Sequence, residues 1–116
     1  MGAMINRTLT ISLSSRSASR ARFIAAVKGK RQGDLIVFQR ASEIAKLLTS
    51  DRVHILESMA VERALSIRQI AELVDRDPEA VYSDVSALTA AGVLDQNDDG
   101  VELRYNTIHV DFVIRP

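Results

Sequence analysis

Residues 65–92 read LSIRQIAELVDRDPEAVYSDVSALTAAG, and the fold is decided in this stretch. Ser66-Ile67-Arg68-Gln69 has the form of a capping box, in which Ser66 accepts from the N3 amide and Gln69 reaches back to the Ser66 amide. The helix it opens runs to about Val74, with Ile67, Ile70, Ala71 and Val74 at inward spacing. Asp75-Arg76 makes the turn. Asp77-Pro78 then starts a second helix with a cap and a proline at the first helical position, where its missing donor costs nothing. Val81, Val85 and Leu88 form the apolar stripe of that helix, and Gly92 is placed to stop it.

Upstream, Ser50 or Asp51 is the expected cap of a helix carrying Val53, Leu56 and Met59 on one stripe, with Ile55 beside them. Before it, Ser42 to Leu48 reads as a short helix with Ile44, Leu47 and Leu48 inward. Downstream of Gly92 the period changes to two. Val93-Leu94 enters a strand, Asn97-Asp98-Asp99-Gly100 is a turn, and Val101 to Tyr105 returns; Asp-Gly between such segments signals a hairpin. Ile108 to Ile114 alternates as a last strand.

At the other end, Thr8 to Leu13 alternates strictly, a helical run follows from about Ala18 to Lys28, and a Gly-containing turn leads to the apolar Leu35-Ile36-Val37-Phe38. The expected fold class is therefore α+β. A winged helix-turn-helix domain, a three-helix core plus a β-hairpin wing, occupies residues 41–116. A basic N-terminal strand-helix-strand extension occupies residues 4–40 and serves dimerisation or partner binding. Met1-Gly2-Ala3, before Met4, reads as a remnant of expression cloning and is left out of the fold argument.

Composition sets the class of function. The 116 residues are 47% hydrophobic and 26% charged, the balance of a globular protein. Cysteine is absent, which excludes disulfide and thiol chemistry. Neither a signal-peptide pattern nor a membrane-length apolar run is evident, so a cytoplasmic protein without a membrane partner is expected. The zero net charge conceals a division. Up to Arg40 there are eight basic residues against one acid, Asp34; from Ala41 onward seven bases face fourteen acids. A basic patch of Arg16, Arg20, Arg22, Lys28, Lys30 and Arg31 thus precedes an acidic domain, and suits an anionic partner or the acidic half of a dimer.

In a winged helix, the helix from Asp77 to Ala91 enters the major groove of double-stranded DNA and the preceding helix touches the backbone. With Val81, Val85 and Leu88 inward, Glu79, Tyr82, Ser83, Ser86 and Thr89 point outward, where they can bond base edges or phosphates. Ser66 and Arg68 at the start of the preceding helix, Arg76 in the turn and Arg104 on the wing complete the expected DNA-contacting set. The outward helix has no Lys or Arg, however, and carries Glu79 and Asp84, while the hairpin turn holds Asp98 and Asp99. Affinity for DNA comes largely from neutralised phosphates, so this domain alone is expected to bind weakly, with the basic extension supplying charge.

Other chemistry has less support. Asp95 to Gly100 matches the opening of a calcium loop, but Asn106 stands where the closing bidentate Glu is needed, and strands rather than helices flank it. His54 and His109 have no His or Cys at ligand spacing. Neither a nucleophile triad nor a phosphate-cradling Gly loop stands out, so no enzyme, metal or cofactor is expected.

The strings Leu48-Thr49-Ser50-Asp51-Arg52, Leu65 to Ala71, Arg76 to Val85 and Ile108 to Phe112 resemble a family of small MarR-like winged-helix proteins of bacteria and archaea. The similarity covers about Phe38 to Ile114 and extends less specifically to the strand-helix-strand prelude. It implies a homodimeric DNA-binding transcriptional regulator, often a repressor of its own operon. Some relatives are antitoxins of toxin-antitoxin systems, which implies the alternative of a cognate toxin as partner. A winged helix serving protein interaction alone is the further alternative. Where relatives commonly carry basic residues in the third helix, this chain has Pro78, Glu79, Ala80 and Ser83.

Overall fold

The structure is a computed structural model that describes residues 7–13, 34–59, 63–112 and 114. The basic patch Arg16, Arg20, Arg22, Lys28, Lys30 and Arg31, and the helix expected over Ala18 to Lys28, lie outside the described residues. Among the described residues there are four helices and five strands, an α+β arrangement. In order they are β1 (Thr8–Leu13), β2 (Asp34–Phe38), α1 (Ala41–Leu47), α2 (Ser50–Ser58), α3 (Ile67–Val74), α4 (Pro78–Ala91), β3 (Asp95–Asn97), β4 (Gly100–Glu102) and β5 (Thr107–Asp111). The chain forms two compact units: Met1–Ala45 with Tyr105–Pro116, and Lys46–Arg104.

The first unit is built on a three-stranded sheet of order β2-β1-β5, with β1 parallel to both neighbours. Period-two patterning places Leu9 and Ile11 on one face, where both are buried at 1% and 0% exposure. Register aligns Leu9 with Asp34 and Ile108, and Ile11 with Ile36 and Val110, so this face stays apolar across most of the sheet. At its start, Arg7 pairs with Asp34 at 3.1 Å and stacks its guanidinium 5.1 Å from the Tyr105 ring centroid, while the Tyr105 hydroxyl also donates to Asp34. Glu43 accepts from the backbone amides of Gln39 and Arg40, both at 3.0 Å, and so caps α1 with its side chain.

Sequence reading placed everything beyond Arg40 in one domain; instead β5 joins the sheet of the first unit. Alternation identifies a strand but not the strand it pairs with, and the partner here is ninety-odd residues away in sequence, as Thr8 aligned with Thr107 shows.

The second unit packs α2, α3 and α4 around Ile55, Met59, Ile70, Ala71, Val74, Val81, Val85 and Leu88, all buried, with Val93, Leu94, Val101 and Leu103 from the β3–β4 region. Strands β3 and β4 pair antiparallel, Asp95 opposite Glu102 and Asn97 opposite Gly100. Leu65, just before α3, forms an isolated antiparallel bridge with Val101, its amide and carbonyl bonded to Val101 at 2.9 and 2.8 Å. The hairpin is thereby tied to the lead-in of α3.

Two details of α2 differ from expectation. Its cap is Thr49, whose hydroxyl accepts from the Arg52 amide at 3.3 Å, rather than Ser50 or Asp51. Its inward stripe begins at Arg52 and runs through Ile55 to Met59, leaving Val53 36% exposed. The reason is electrostatic: Arg52 turns inward to meet a carboxylate on α4, and the helix rotates with it.

Candidate nucleic-acid interface

The capping box that sets the start of α3 is formed on both sides: the Gln69 amide donates to Ser66 Oγ at 3.1 Å, and the Ser66 amide donates to Gln69 Oε1 at 2.8 Å. At the other end Asp75 adopts the left-handed conformation, φ 55° and ψ 53°. Asp and Asn tolerate that region better than most non-Gly residues because their short polar side chains bond locally. It reverses the chain, and the Arg76 amide donates to the Ala71 carbonyl at 3.1 Å to close the helix. One residue later Asp77 caps α4 by accepting from the Glu79 amide at 3.0 Å, and Pro78 opens the helix. Gly92, at φ 95°, ends it.

Behind this turn lies an ion-pair network unforeseen in the sequence. Asp84 of α4 accepts from Arg52 Nε at 2.9 Å through one oxygen and pairs with Arg76 Nη1 at 2.8 Å through the other. Arg76 also lies 3.7 Å from the Asp51 carboxylate, and Arg52 donates to the Lys46 and Leu47 carbonyls at 3.1 and 3.3 Å. Side-chain exposures of 19% for Arg52, 23% for Arg76 and 13% for Asp84 mark it as largely enclosed. Burial pushes the Asp84 carboxyl up, but hydrogen bonds and charge from the two guanidinium groups outweigh it and hold the group below the usual carboxylate value. One carboxylate thus fixes the end of α1, the start of α2, the turn and α4 relative to one another.

A signal for Asp84 exists in the sequence. It stands three residues after Val81 and four before Leu88, within the stripe that faces inward. Reading every charge on α4 as solvent-facing missed it.

The network changes the charge of the outward face. Asp84 is largely enclosed, so the exposed polar positions of α4 are Glu79, Tyr82, Ser83 and Ser86, with Tyr82 60% exposed. Thr89, expected outward, is half-buried, and its hydroxyl is enclosed with no hydrogen-bond partner among the described residues. Arg76 is likewise engaged within the molecule. On the hairpin, Arg104 pairs with Asp95 at 3.0 Å and Glu102 at 3.3 Å, which neutralises this cation locally. Arg68 is exposed, and neither ion pair nor hydrogen bond holds its side chain among the described residues. Arg63, ahead of the Leu65 bridge, is exposed as well and was not singled out in the sequence.

At the hairpin tip, Asn97 Oδ1 accepts from the Asp99 amide at 2.8 Å and Asn97 Nδ2 donates to Glu102 at 2.9 Å. The side chain of Asn97 thus builds the turn, leaving Asp98 and Asp99 exposed. Gly100, at φ 133°, is placed where a Cβ would lie 2.7 Å from the Leu65 carbonyl oxygen, so the bridge to Leu65 requires glycine.

An open cleft over the turn is lined by Arg68, Glu72, Asp75, Arg76 and Pro78, a mixed-charge surface. The whole arrangement presents hydroxyl, phenol and one unpaired guanidinium group on a helix pair whose mutual position is fixed from behind. Residues 47–110, more than half of the chain, match the sequence model of the HVO_A0114 family. No curated protein and no solved structure matches the chain.

Proposed function

We propose that this chain, which belongs to the HVO_A0114 family, is a DNA-binding transcriptional regulator that works as a homodimer and represses its own operon. The reading takes Lys46–Arg104 as a winged helix-turn-helix in which α4 reads the major groove and β3–β4 is the wing. The observation that carries it is the pairing of a polar, exposed α4 face (Glu79, Tyr82, Ser83, Ser86) with a half-buried ionic brace behind it. A helix that inserts into a groove needs hydrogen-bonding side chains on one side and a rigid seat on the other.

Within this reading Arg68 is the main phosphate contact of the unit, Ser66 lies beside it at the start of α3, and Arg76 and Arg104 act mainly by holding the scaffold. The basic segment before Arg40 supplies further phosphate neutralisation. The protein works in the cytoplasm; among the described residues no helix is long and apolar enough to cross a membrane. A gel-shift assay with the DNA upstream of its own gene, at two salt concentrations, tests the proposal. A specific complex that weakens steeply with salt supports it, and no specific shift at low salt removes it.

A second reading has its own support. Leu73 on α3 is 52% exposed and Tyr82 on α4 60% exposed, while the cations of the wing and turn are paired internally. Such a face suits a protein partner, as in an antitoxin that binds a cognate toxin or in a protein-interaction winged helix. Co-purification with the product of the adjacent gene, lost on Tyr82→Ala, separates this reading from the first.

A further inference from the structure

Strand β5 lies at an edge of the sheet, with β1 as its neighbour among the described residues. Edges of this kind template pairing with another chain unless they are short, charged or covered. The Arg7 carbonyl accepts from the Thr107 amide at 3.3 Å. In a parallel ladder that bond directs the backbone groups of Thr107, His109 and Asp111 toward β1, and those of Ile108 and Val110 outward. Side chains tell the same story. Val110 and Phe112 share the face of Leu9 and Ile11 by register, yet they are 38% and 37% exposed where Leu9 and Ile11 are sealed. The apolar face therefore continues to the edge strand and is more exposed there than on β1.

We infer that β5 pairs antiparallel with β5 of a second copy of this chain, about a two-fold axis at Val110. The register is chosen by the match of an imidazole N–H donor to a carboxylate acceptor. Centred on Val110, the pairing sets Ile108 opposite Phe112 of the partner subunit on the apolar face. On the other face it sets His109 opposite Asp111 of the partner subunit, and Asp111 opposite His109 of the partner subunit. Val110 becomes a hydrogen-bonded pair with its own copy, since its amide and carbonyl point outward. His109 and Asp111 then occupy non-hydrogen-bonded positions, where Cα atoms approach to about 4.5 Å and side chains interact most closely. Two donor-carboxylate contacts result from one symmetric register. The other edge, β2, offers no such match: a two-fold at Ile36 would set Asp34 against Phe38.

This inference deepens the homodimer part of the proposed function and does not depend on DNA, so its test contains none. The full chain is examined by sedimentation or by size exclusion with light scattering at micromolar concentration, with far-UV circular dichroism to confirm folding. The wild-type chain is expected to be a dimer. His109→Asp sets carboxylates against carboxylates twice and weakens association about tenfold. Combining His109→Asp with Asp111→His recreates both contacts in the same register and restores the wild-type dimer. Val110→Pro removes the outward amide at the axis and gives a monomer. If Val110→Pro fails to fold, the charge swap still decides the matter. A monomeric wild-type chain, a dimer indifferent to His109→Asp, or a swap no tighter than the single variant would each overturn the inference.

Discussion

Arg76 and Asp84 form a 2.8 Å ion pair that links the α3–α4 turn to the inner flank of α4. An arginine in a helix-helix turn is a natural phosphate contact by position, but this one is committed to a carboxylate that also holds Arg52. What it does in the structure is hold α4 against the turn and the start of α2.

Removing the shared carboxylate leaves Arg52 without its ion-pair partner and Arg76 with only the more distant, exposed Asp51 at 3.7 Å. Asp84→Ala is expected to destabilise the protein by about 2–3 kcal/mol, at or below the low end of the range for broken buried pairs because solvent reaches both arginines. Urea unfolding measures it. A double-mutant cycle of Asp84→Ala with Arg76→Ala should show strong coupling, since the second change removes a charge the first has already orphaned.

Acid should weaken the same network. The folded-state carboxyl of Asp84 is held below its ordinary value, so its contribution is full above the unfolded value and is lost as pH falls through the folded one. Urea midpoints of the wild-type chain are therefore expected to drop on acidification below the usual carboxylate range. Asp84→Asn, less stable at neutral pH, should show a smaller drop over the same range; equal slopes for both would remove the network from the account.

Gly100→Ala forces a Cβ to within 2.7 Å of the Leu65 carbonyl oxygen at a φ that side-chain-bearing residues rarely adopt. The cost is expected at about 2 kcal/mol, from strain together with loss of the Leu65–Val101 bonds. Hydrogen exchange localises it: the Leu65 and Val101 amides should lose protection while those of α4 keep theirs relative to global stability.

Ser66→Ala removes the acceptor for the Gln69 amide and should cost about 1 kcal/mol, the usual worth of a helix cap. Thermal unfolding reads this directly, and Ser66→Asp, which keeps an acceptor, should recover most of it.

If α4 reads DNA, the exposed residues separate by role. Arg68→Ala should weaken binding to specific and random DNA alike and lower the salt slope by about 1. Tyr82→Ala and Ser83→Ala should change sequence preference at constant salt slope. Fluorescence anisotropy on both kinds of DNA distinguishes the two patterns, and an equal effect of Tyr82→Ala on both would take base reading away from that residue.

Local chemistry was legible in the sequence and distant pairing was not. The Ser66 capping box, the Asp77-Pro78 helix start, the Gly92 stop and the Asn97–Gly100 turn each act within a few residues, and all take the expected form. Arg52 and Asp84 are thirty-two positions apart, and charge alone gave no reason to turn either inward. For that reason Arg52 and Ile55 take the inward places expected of Val53 and Leu56, while Met59 is buried as expected. Thr89 continued the outward pattern of α4 by spacing, yet it falls at the border between faces, where spacing does not decide burial. Strand β5 was recognised by alternation, while its place beside β1 depended on a contact spanning nearly the whole chain.

That contact has a consequence for folding. Strands β1 and β5 bracket Lys46–Arg104 in sequence, so the central and edge strands of one sheet meet across a loop that contains an entire compact unit. Closing so long a loop as a random coil would be slow and entropically costly, and prior folding of the inserted unit shortens its effective length. The sheet is therefore the late-forming element: release of the last dozen residues would unzip it from its edge while leaving the helices assembled.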